Sequence, residues 1–298
     1  MNEQSFAFGD NGGLVGTVCF PPVWQPASAK VGVVLFNAGV VHRIGPHRIN
    51  VRLARWLAAN GIPSIRFDLA GQGDSARSDG IFGFEEQAVE DIRAAMDFLG
   101  LKAKISRFVL FGFCSGGVHS YATAKVDERV AGLLLYDTYI YPTLRSRINR
   151  YIVKIRARGM IVSITNWLNR QLIVRISKLP AVFNSDPASA VAPQTGLFVT
   201  PGKSEFAKTL THLNRNGMRI GMIYSGGFEQ YNYRNQFADA FKEFGINDYV
   251  RSEYLPEMNH TATLTEQQAV LMQIIVRWCV ELNESLNAAS GDTLSMAK

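Results

Sequence analysis

The sequence predicts an α/β fold built on a mostly parallel sheet, and three observations support this. Strand-like runs rich in β-branched residues alternate with segments whose apolar residues recur at helical spacing. Some runs, such as "VGVVLFNAG" at 31–39, are apolar throughout, as expected for strands buried on both faces of a parallel sheet. Turn residues separate these elements, which indicates βαβ units with right-handed crossovers.

The predicted elements follow one another along the chain in a regular order. The predicted strands lie in "LVGTVCF", "VGVVLFNAG", "PSIRFD", "RFVLFGF", "VAGLLLYD", "MRIGMIYSGG" and "YVRSEYLP". The predicted helices lie in "HRINVRLARWLAANG", "FEEQAVEDIRAAMDFLG", "GGVHSYATAKV", "YRNQFADAFKEFG" and "TEQQAVLMQIIVRWCVELNESL". The first helix is expected to end at Gly61, and the acidic start of the second matches the helix dipole.

The alternation breaks between about residues 138 and 190, where the chain is rich in Tyr, Arg, Ile and Trp. We therefore expect an α/β core from residues 1–137 and 191–286, a helical cap from 138–190, and a disordered tail from 287–298. Aromatic residues of the cap could line a substrate pocket or simply pack the cap onto the sheet: Tyr139, Tyr141, Tyr151, Trp167 and Phe183.

Composition excludes several classes of protein. No apolar run approaches the roughly 18 residues that a membrane span needs, and the N-terminus lacks a signal-peptide pattern, so a cytoplasmic location is expected. The formal net charge is +6, but the densest cationic run, "RSRINRYIVKIRARG" at 145–159, alternates cations with apolar residues. That pattern is typical of an amphipathic lid helix with a basic face, and we expect no nucleic-acid partner.

Cysteine and histidine spacing argues against disulfides and metal sites. The three cysteines, Cys19, Cys114 and Cys279, lie far apart without a CxxC pair, and no HExxH pattern occurs. We therefore expect neither a disulfide framework nor a metal centre.

The stretch "GFCSGG" at 112–117 follows a predicted strand and predicts a nucleophile on a tight strand-to-helix turn. Such a turn requires small residues two positions before and after the nucleophile, and Gly112 and Gly116 meet this requirement around Cys114. Around Ser115 the same test fails, because Phe113 takes the preceding position. A helix N-terminus after the turn favours the thiolate, although the motif alone also fits a buried structural thiol.

A base and an acid are expected at the same sheet edge. His260, in "PEMNHTAT", follows the last predicted strand and could take the thiol proton. To orient its ring we favour Glu229, because the chain order nucleophile, acid, base is the one used with such a turn. Asp137, which ends the strand "VAGLLLYD", is the alternative acid, and Asn232 is a weaker third candidate.

An oxyanion hole is expected where "FNAGVV" ends the apolar strand at 31–39. Gly39 allows the backbone to turn its N–H groups toward the nucleophile. Backbone N–H groups of Ser115 and of Gly39 or Val40 would then stabilise a tetrahedral oxyanion. Nearby, the polar run "VVHRIGPHR" could contact substrate or form an ordinary helix start.

With these pieces in chain order, the sequence resembles the α/β-hydrolase superfamily over residues 14–137 and 190–285. "NAG" at 37–39 resembles its oxyanion loop, "RFDLAGQGDS" its turn after the fourth strand, and "NHTAT" its histidine loop. The resemblance implies an eight-stranded sheet, a cap after the sixth strand and an acyl-enzyme mechanism without a cofactor. The cysteine in the turn is similar to that of dienelactone-type hydrolases. Within the superfamily, "VVHRIGPHR" followed by "FDLAGQGDSA" most resembles the hydrolases with a cysteine in this turn that are associated with bacterial exosortase and exopolysaccharide systems.

The expected activity is acyl transfer from a small-molecule or carrier-bound ester or thioester, with His260 activating Cys114 and water releasing the acid. Transfer of the acyl group to an alcohol or amine is the first alternative, because a thioester intermediate reacts well with such acceptors. The second is a catalytically inactive protein that kept the fold as a binding module. A homodimer is left open.

Overall fold

The computed structural model describes residues 2–25, 29–158 and 200–295. Eight strands form one sheet in the order β1-β2-β4-β3-β5-β6-β7-β8. The pairs β1–β2 and β2–β4 are antiparallel, and the other pairs are parallel. The strands are β1 Asn2–Phe8, β2 Leu14–Phe20, β3 Val31–Leu35, β4 Ser64–Phe67, β5 Arg107–Phe113, β6 Val130–Tyr136, β7 Arg219–Ser225 and β8 Val250–Leu255.

Helices cover both faces of the sheet, because each has one apolar side that must be removed from water. In the described part of the chain they are α1 Ile49–Ala59, α2 Phe84–Ala103, α3 Gly116–Ala124, α4 Leu144–Arg158, α5 Lys203–Arg215, α6 Gln236–Ala240 and α7 Thr265–Ser295. On one face α2 and α5 bury residues such as Met96 and Phe206. On the other, α1 and α7 bury residues such as Leu57 and Ile275.

The strand order determines where a site can form. β3 lies between β4 and β5, so the chain leaves the sheet in opposite directions after β3 and after β5. In open parallel sheets, ligands bind at the carboxyl edge beside such a reversal. The loops that follow β3 and β5, which carry Gly39 and Cys114, therefore meet at one edge.

The fold confirms the predicted mostly parallel sheet, and all seven predicted strands are present. The sequence reasoning missed β1, an edge strand whose residues are mostly exposed and therefore lack a clear apolar alternation. It also missed α5, although buried Phe206, Leu210 and Leu213 recur at helical spacing there. Helix α7 continues to Ser295, within the segment 287–298 that the sequence predicts as a tail.

The predicted cap falls only partly within the described residues. Helix α4 supplies a helical segment at 144–158, whereas residues 159–190, with Trp167 and Phe183, lie outside them. No helix in the described ranges combines the length and apolar character that crossing a bilayer requires.

Candidate active site

Cys114 occupies the turn between β5 and α3 with a left-handed backbone, φ +55°. A residue other than glycine in this region is strained, and a strained residue on a strand-to-helix turn is the known arrangement for presenting a nucleophile. The turn is fixed by two hydrogen bonds: the Cys114 N–H donates to the Tyr136 carbonyl at 2.8 Å, and the Thr138 hydroxyl donates to the Cys114 carbonyl at 2.9 Å. The side chain is half-buried and carries a free thiol.

The glycines around Cys114 are required by close packing. A Cβ at Gly112 would lie 2.3 Å from the Cα of Gly117, and one at Gly116 would lie 2.8 Å from the Asn37 carbonyl oxygen. A Cβ at Gly117 would lie 1.9 Å from the Thr138 hydroxyl oxygen. The glycine spacing around Cys114 therefore has a direct steric cause.

His260 follows β8 and lies beside Cys114 with its ring packed among aromatic side chains. Cys114 lies close enough to the imidazole for its thiol to contribute to the shifted pKa of His260. The ring centroid of Phe228 lies 4.6 Å from that of His260, and the Tyr136 ring stacks on the imidazole with centroids 6.3 Å apart. Gly227 permits this approach, since a Cβ there would lie 2.5 Å from the His260 backbone nitrogen.

Asp137, at the end of β6, orients the histidine. Its Oδ2 lies 2.9 Å from His260 Nδ1, and because a carboxylate only accepts, Nδ1 carries the proton. The carboxylate is fully buried and is itself held by Ser225, whose backbone N–H donates at 2.7 Å and whose hydroxyl donates at 2.5 Å. Ser225 is a positioning residue that the sequence reasoning missed; its place at the end of β7 was the available signal.

These contacts shift the protonation of His260. Burial alone lowers the pKa of the imidazole, but the hydrogen bonds to Asp137 and Cys114 and the charges of both groups outweigh it and raise that pKa to about 9. The site therefore favours the imidazolium form of His260 at neutral pH.

The structure corrects the preference for Glu229 as the acid. Its carboxylate is 66% exposed and pairs with Lys154 at 3.2 Å, on the surface of the loop after β7. Asn232 is also turned away, with its amide bonded to the Ser146 carbonyl and to Asn149 of α4. Asp137 satisfies the same chain order and stands where the imidazole needs a carboxylate, so the alternative acid is the one that the structure brings to His260.

Two of the residues expected at the oxyanion hole, Gly39 and Ser115, lie together because they follow the neighbouring strands β3 and β5. Gly39 has φ +59°, and its N–H donates to the Ser115 hydroxyl at 2.5 Å. Ser115 itself has a helical backbone, φ −61°, and opens α3. Val40 is 90% exposed at the tip of the loop. Gly39 and Ser115 are therefore in contact beside Cys114, whereas the Val40 side chain projects into solvent.

The loop after β3 is anchored by a buried ion pair. The Asp68 carboxylate accepts from Asn37 Nδ2 at 2.9 Å, from the Arg43 backbone N–H at 2.6 Å and from the Arg43 guanidinium at 2.5 Å. Arg43 also bonds to Asp74 at 2.6 Å and to His42 at 2.8 Å. The "VVHRIG" residues thus hold the loop that carries Gly39.

One group in the described part of the chain has ligand atoms close enough together for a metal ion: His42, Asp68 and Asp74. The Arg43 guanidinium lies between these same atoms and neutralises the two carboxylates. The group is better explained as an ion-pair network than as a metal centre.

A cavity of about 530 Å³ lies between the loop after β4 and helix α2. Its walls include Leu14, Arg77 and Asp91, but neither Cys114, Asp137 nor His260 contributes to it. The catalytic candidates are therefore identified by their mutual geometry and not by this cavity.

The sheet order, the strained residue after β5 and the Asp137–His260 pair at the same edge define an α/β hydrolase. The chain belongs to the serine aminopeptidase S33 family, whose sequence pattern matches residues 31–199, more than half of the chain. Membership supports a hydrolytic enzyme. The family description names a serine enzyme, whereas in this chain a cysteine, Cys114, occupies the strained position of the turn.

Solved structures share the fold at low identity. A serine hydrolase without a lid from Xanthomonas campestris has a TM-score of 0.51 at 15% identity, covering 93% of this chain and 94% of that one. The esterase domain of a Rhodothermus marinus protein gives 0.53 at 13%, covering 94% and 98%. Proline iminopeptidase of Mycobacterium smegmatis gives 0.50 at 15%, covering 96% and 100%. No curated protein matches the sequence significantly.

Proposed function

We propose that the protein hydrolyses carboxylic esters or thioesters through an S-acyl intermediate on Cys114, acting on a small-molecule or carrier-bound acyl group. The observation that carries this proposal is that Cys114 occupies the strained turn after β5 beside His260, whose Nδ1 is bonded at 2.9 Å to the buried Asp137 carboxylate. A nucleophile touching a base that is oriented by a third group is the arrangement required for covalent catalysis.

In the first half-reaction the imidazole holds the thiol proton and the Cys114 sulfur attacks the acyl carbonyl. Because Nδ1 of His260 is bonded to Asp137, Nε2 is the nitrogen that serves the sulfur. Backbone N–H groups at Ser115 and the Gly39 loop stabilise the oxyanion. The intermediate collapses by expelling the alcohol or thiol, which takes its proton from the imidazolium.

In the second half-reaction water attacks the thioester while Nε2 of His260 takes one water proton. Collapse of this second intermediate releases the carboxylic acid and returns the proton to the sulfur–imidazole pair. The Asp137 carboxylate stays ionised throughout and stabilises the imidazolium that forms in each step.

Two local features favour Cys114 over Ser115 as the nucleophile, although the family description names a serine enzyme. Cys114 has the strained backbone of the turn, and its thiol contributes to the shifted pKa of His260. Ser115 has an ordinary helical backbone, and its hydroxyl is bonded to the Gly39 N–H.

Sulfur also bears on the substrate class. In a tetrahedral intermediate the thiolate leaves more readily than an amine, so esters and thioesters suit this site better than the amide bonds cleaved by a peptidase. For the same reason we keep acyl transfer to an alcohol or amine as a second candidate, since the S-acyl enzyme reacts well with both. We also propose, on the sequence resemblance, that the protein is related to dienelactone-type or exosortase-associated hydrolases.

The test combines activity with the mass of the intact chain. Wild type is mixed with p-nitrophenyl esters and acyl thioesters, and Cys114→Ala, Cys114→Ser and Ser115→Ala are measured in parallel. We expect an acyl adduct on wild type and on Ser115→Ala, and none on Cys114→Ala. An adduct that persists on Cys114→Ala would reject the nucleophile, and no adduct or turnover with any substrate would favour a binding protein.

A panel of amines and alcohols separates hydrolysis from transfer. With an activated ester as donor, formation of amide or ester product in proportion to the acceptor concentration supports transfer. Free acid as the sole product at every acceptor concentration supports hydrolysis.

A further inference from the structure

Helix α4 carries an exposed apolar stripe that the proposed catalysis does not use. The stripe consists of Leu144, Ile148, Tyr151, Ile152 and Ile155, all exposed. Their spacing of four, three, one and three residues places them within about 100° of the helix circumference. Leu144 is 75% exposed and Tyr151 is 58% exposed. Contiguous apolar surface of this kind usually marks a contact with another phase or molecule.

The opposite side of α4 is fixed to the protein. Ser146 is buried and closes the helix start through two hydrogen bonds with Thr143, at 2.9 and 3.1 Å. Asn232, in the loop after β7, donates to the Ser146 carbonyl at 2.8 Å and accepts from Asn149 at 3.2 Å. Ser146 and Asn149 therefore hold the first turns of the helix on the side away from the stripe, whereas Val153, farther along that side, is 63% exposed.

Cations border the stripe along both edges. At 100° per residue, Arg145 and Arg156 fall on one edge, while Arg147, Arg150 and Lys154 fall on the other. Lys154 pairs with Glu229, and Arg145 lies over the Tyr233 ring at 4.5 Å. Within the described residues Arg147, Arg150 and Arg156 have no carboxylate partner, and no acidic residue occurs in α4.

Neither α4 nor the sequence directly after it supplies a carboxylate to pair with these cations. From residue 144 to residue 185 it contains nine Lys or Arg residues and no Asp or Glu: Arg145, Arg147, Arg150, Lys154, Arg156, Arg158, Arg170, Arg175 and Lys178. An anionic surface outside this stretch would therefore complement its charge.

We propose that α4 docks the protein on an anionic lipid bilayer, lying in the plane of the interface. In that position the five apolar side chains enter the boundary between headgroups and acyl chains, and cations on both edges reach the lipid phosphates. An apolar stripe with cations on both sides fits a flat interface better than a small acidic protein, which would engage one edge. The proposal does not depend on catalysis by Cys114.

Docking at α4 would bring the bilayer close to the candidate active site. The loop after β7 contacts α4 through Glu229 and Asn232, and Phe228 of the same loop packs on His260 with ring centroids 4.6 Å apart. An acyl substrate dissolved in the membrane would therefore be near Cys114.

The experiment is flotation of the full chain with vesicles of phosphatidylcholine alone or with about 30% phosphatidylglycerol, which makes the vesicle surface anionic. We expect binding to the anionic vesicles, weak binding to the neutral ones, and loss of binding as salt is raised. Folding of every variant is checked by circular dichroism, and the Cys114 adduct is measured separately.

Matched variants test the two components of the surface. Leu144→Asn should lower vesicle binding about tenfold, whereas Leu101→Asn, at a leucine that is 77% exposed on α2, should not change it. Arg147→Gln with Arg156→Gln should lower binding about thirtyfold, given roughly 1 kcal/mol for each cation at an anionic surface. The control is Arg215→Gln with Arg277→Gln, which removes the same charge at two exposed arginines outside α4.

Three outcomes would overturn the proposal. One is that wild type does not float with the anionic vesicles, whether or not it binds an acidic polymer such as polyglutamate. Another is vesicle binding that Leu144→Asn and Leu101→Asn change equally. A third is a Leu144→Asn variant that unfolds far more easily but binds vesicles normally, since this would mean that another part of the chain covers the stripe.

Discussion

The Asp137 carboxylate and the His260 imidazole meet at 2.9 Å although 123 residues separate them in the chain. Both follow strands of the same sheet, β6 and β8, and β7 lies between these strands. Ser225, at the end of β7, bridges the gap by donating two hydrogen bonds to the carboxylate. Three neighbouring strand ends thus bring a buried carboxylate to a half-buried imidazole.

Replacing Asp137 should separate the two acid candidates. Asp137→Asn keeps the size of the side chain but removes the charge and permits the wrong histidine tautomer, so we expect kcat to fall by about 10³- to 10⁴-fold. Glu229→Gln should change kcat less than about twofold, because its carboxylate is exposed and pairs with Lys154. Steady-state hydrolysis of an activated ester measures both. Equal losses in the two variants would contradict the assignment of Asp137.

Alkylation should single out one of the three cysteines. Cys19 and Cys279 are fully buried, and burial raises the pKa of Cys19 to about 11 and that of Cys279 to about 12. Cys114 is half-buried beside His260. Iodoacetamide at neutral pH should therefore label the native chain once, at Cys114, as peptide mass mapping would report. Labelling of Cys19 or Cys279 at a comparable rate would show that the native core is more open than described.

The sheet could be predicted because its central strands are buried on both faces and read as uninterrupted apolar runs. The turn at Cys114 could be predicted because the steric demand of a tight turn appears directly as glycines at fixed spacing. β1 gave no such signal, because a mostly exposed edge strand needs no apolar alternation.

The acid could not be chosen from the sequence, because Asp137 and Glu229 both follow a strand in the right chain order. The choice depends on which carboxylate the strand ends bring to the imidazole, and that is a property of tertiary packing. Asp137 is buried at the end of β6, whereas Glu229 lies four residues beyond the end of β7 and reaches solvent.

The raised pKa of His260 makes folding stability depend on pH. In the unfolded chain the imidazole titrates near pH 6.5, and in the folded protein near pH 9. Between these values the native state holds the proton that the unfolded state has lost, so stability is fully present below about pH 6.5 and falls as pH rises toward 9. We expect the free energy of unfolding to fall by about 2 kcal/mol over this window. Urea titrations at several pH values would measure this.

Two variants serve as controls for this pH effect. Asp137→Asn removes the main partner that raises the pKa, so the slope of stability against pH should flatten between 6.5 and 9. Glu229→Gln should keep the wild-type slope. A slope unchanged in Asp137→Asn would mean that another group produces the pH dependence.

The glycine after the turn should tolerate no side chain. Gly117→Ala would place a Cβ 1.9 Å from the Thr138 hydroxyl oxygen, and relieving this clash should cost about 1–3 kcal/mol of stability. Gly13→Ala is the control, because its Cβ would have no neighbour closer than 3.4 Å and its backbone is not left-handed. Denaturant unfolding compares the two. Equal stabilities would show that the α3–Thr138 contact is loose.

Ser115 should assist catalysis through its hydroxyl without forming the intermediate. The Gly39 N–H donates to that hydroxyl at 2.5 Å, so the bond holds the loop after β3 against the start of α3. Ser115→Ala removes the acceptor and should lower kcat about tenfold, since the N–H groups around the oxyanion then lose their fixed positions. The Cys114 adduct should still form, and stability should change little because the bond is exposed. A rise in kcat would instead mean that the hydroxyl competes with the oxyanion for the Gly39 N–H. An acyl adduct on Ser115 in wild type would show that the serine hydroxyl, and not the Cys114 thiol, is the nucleophile.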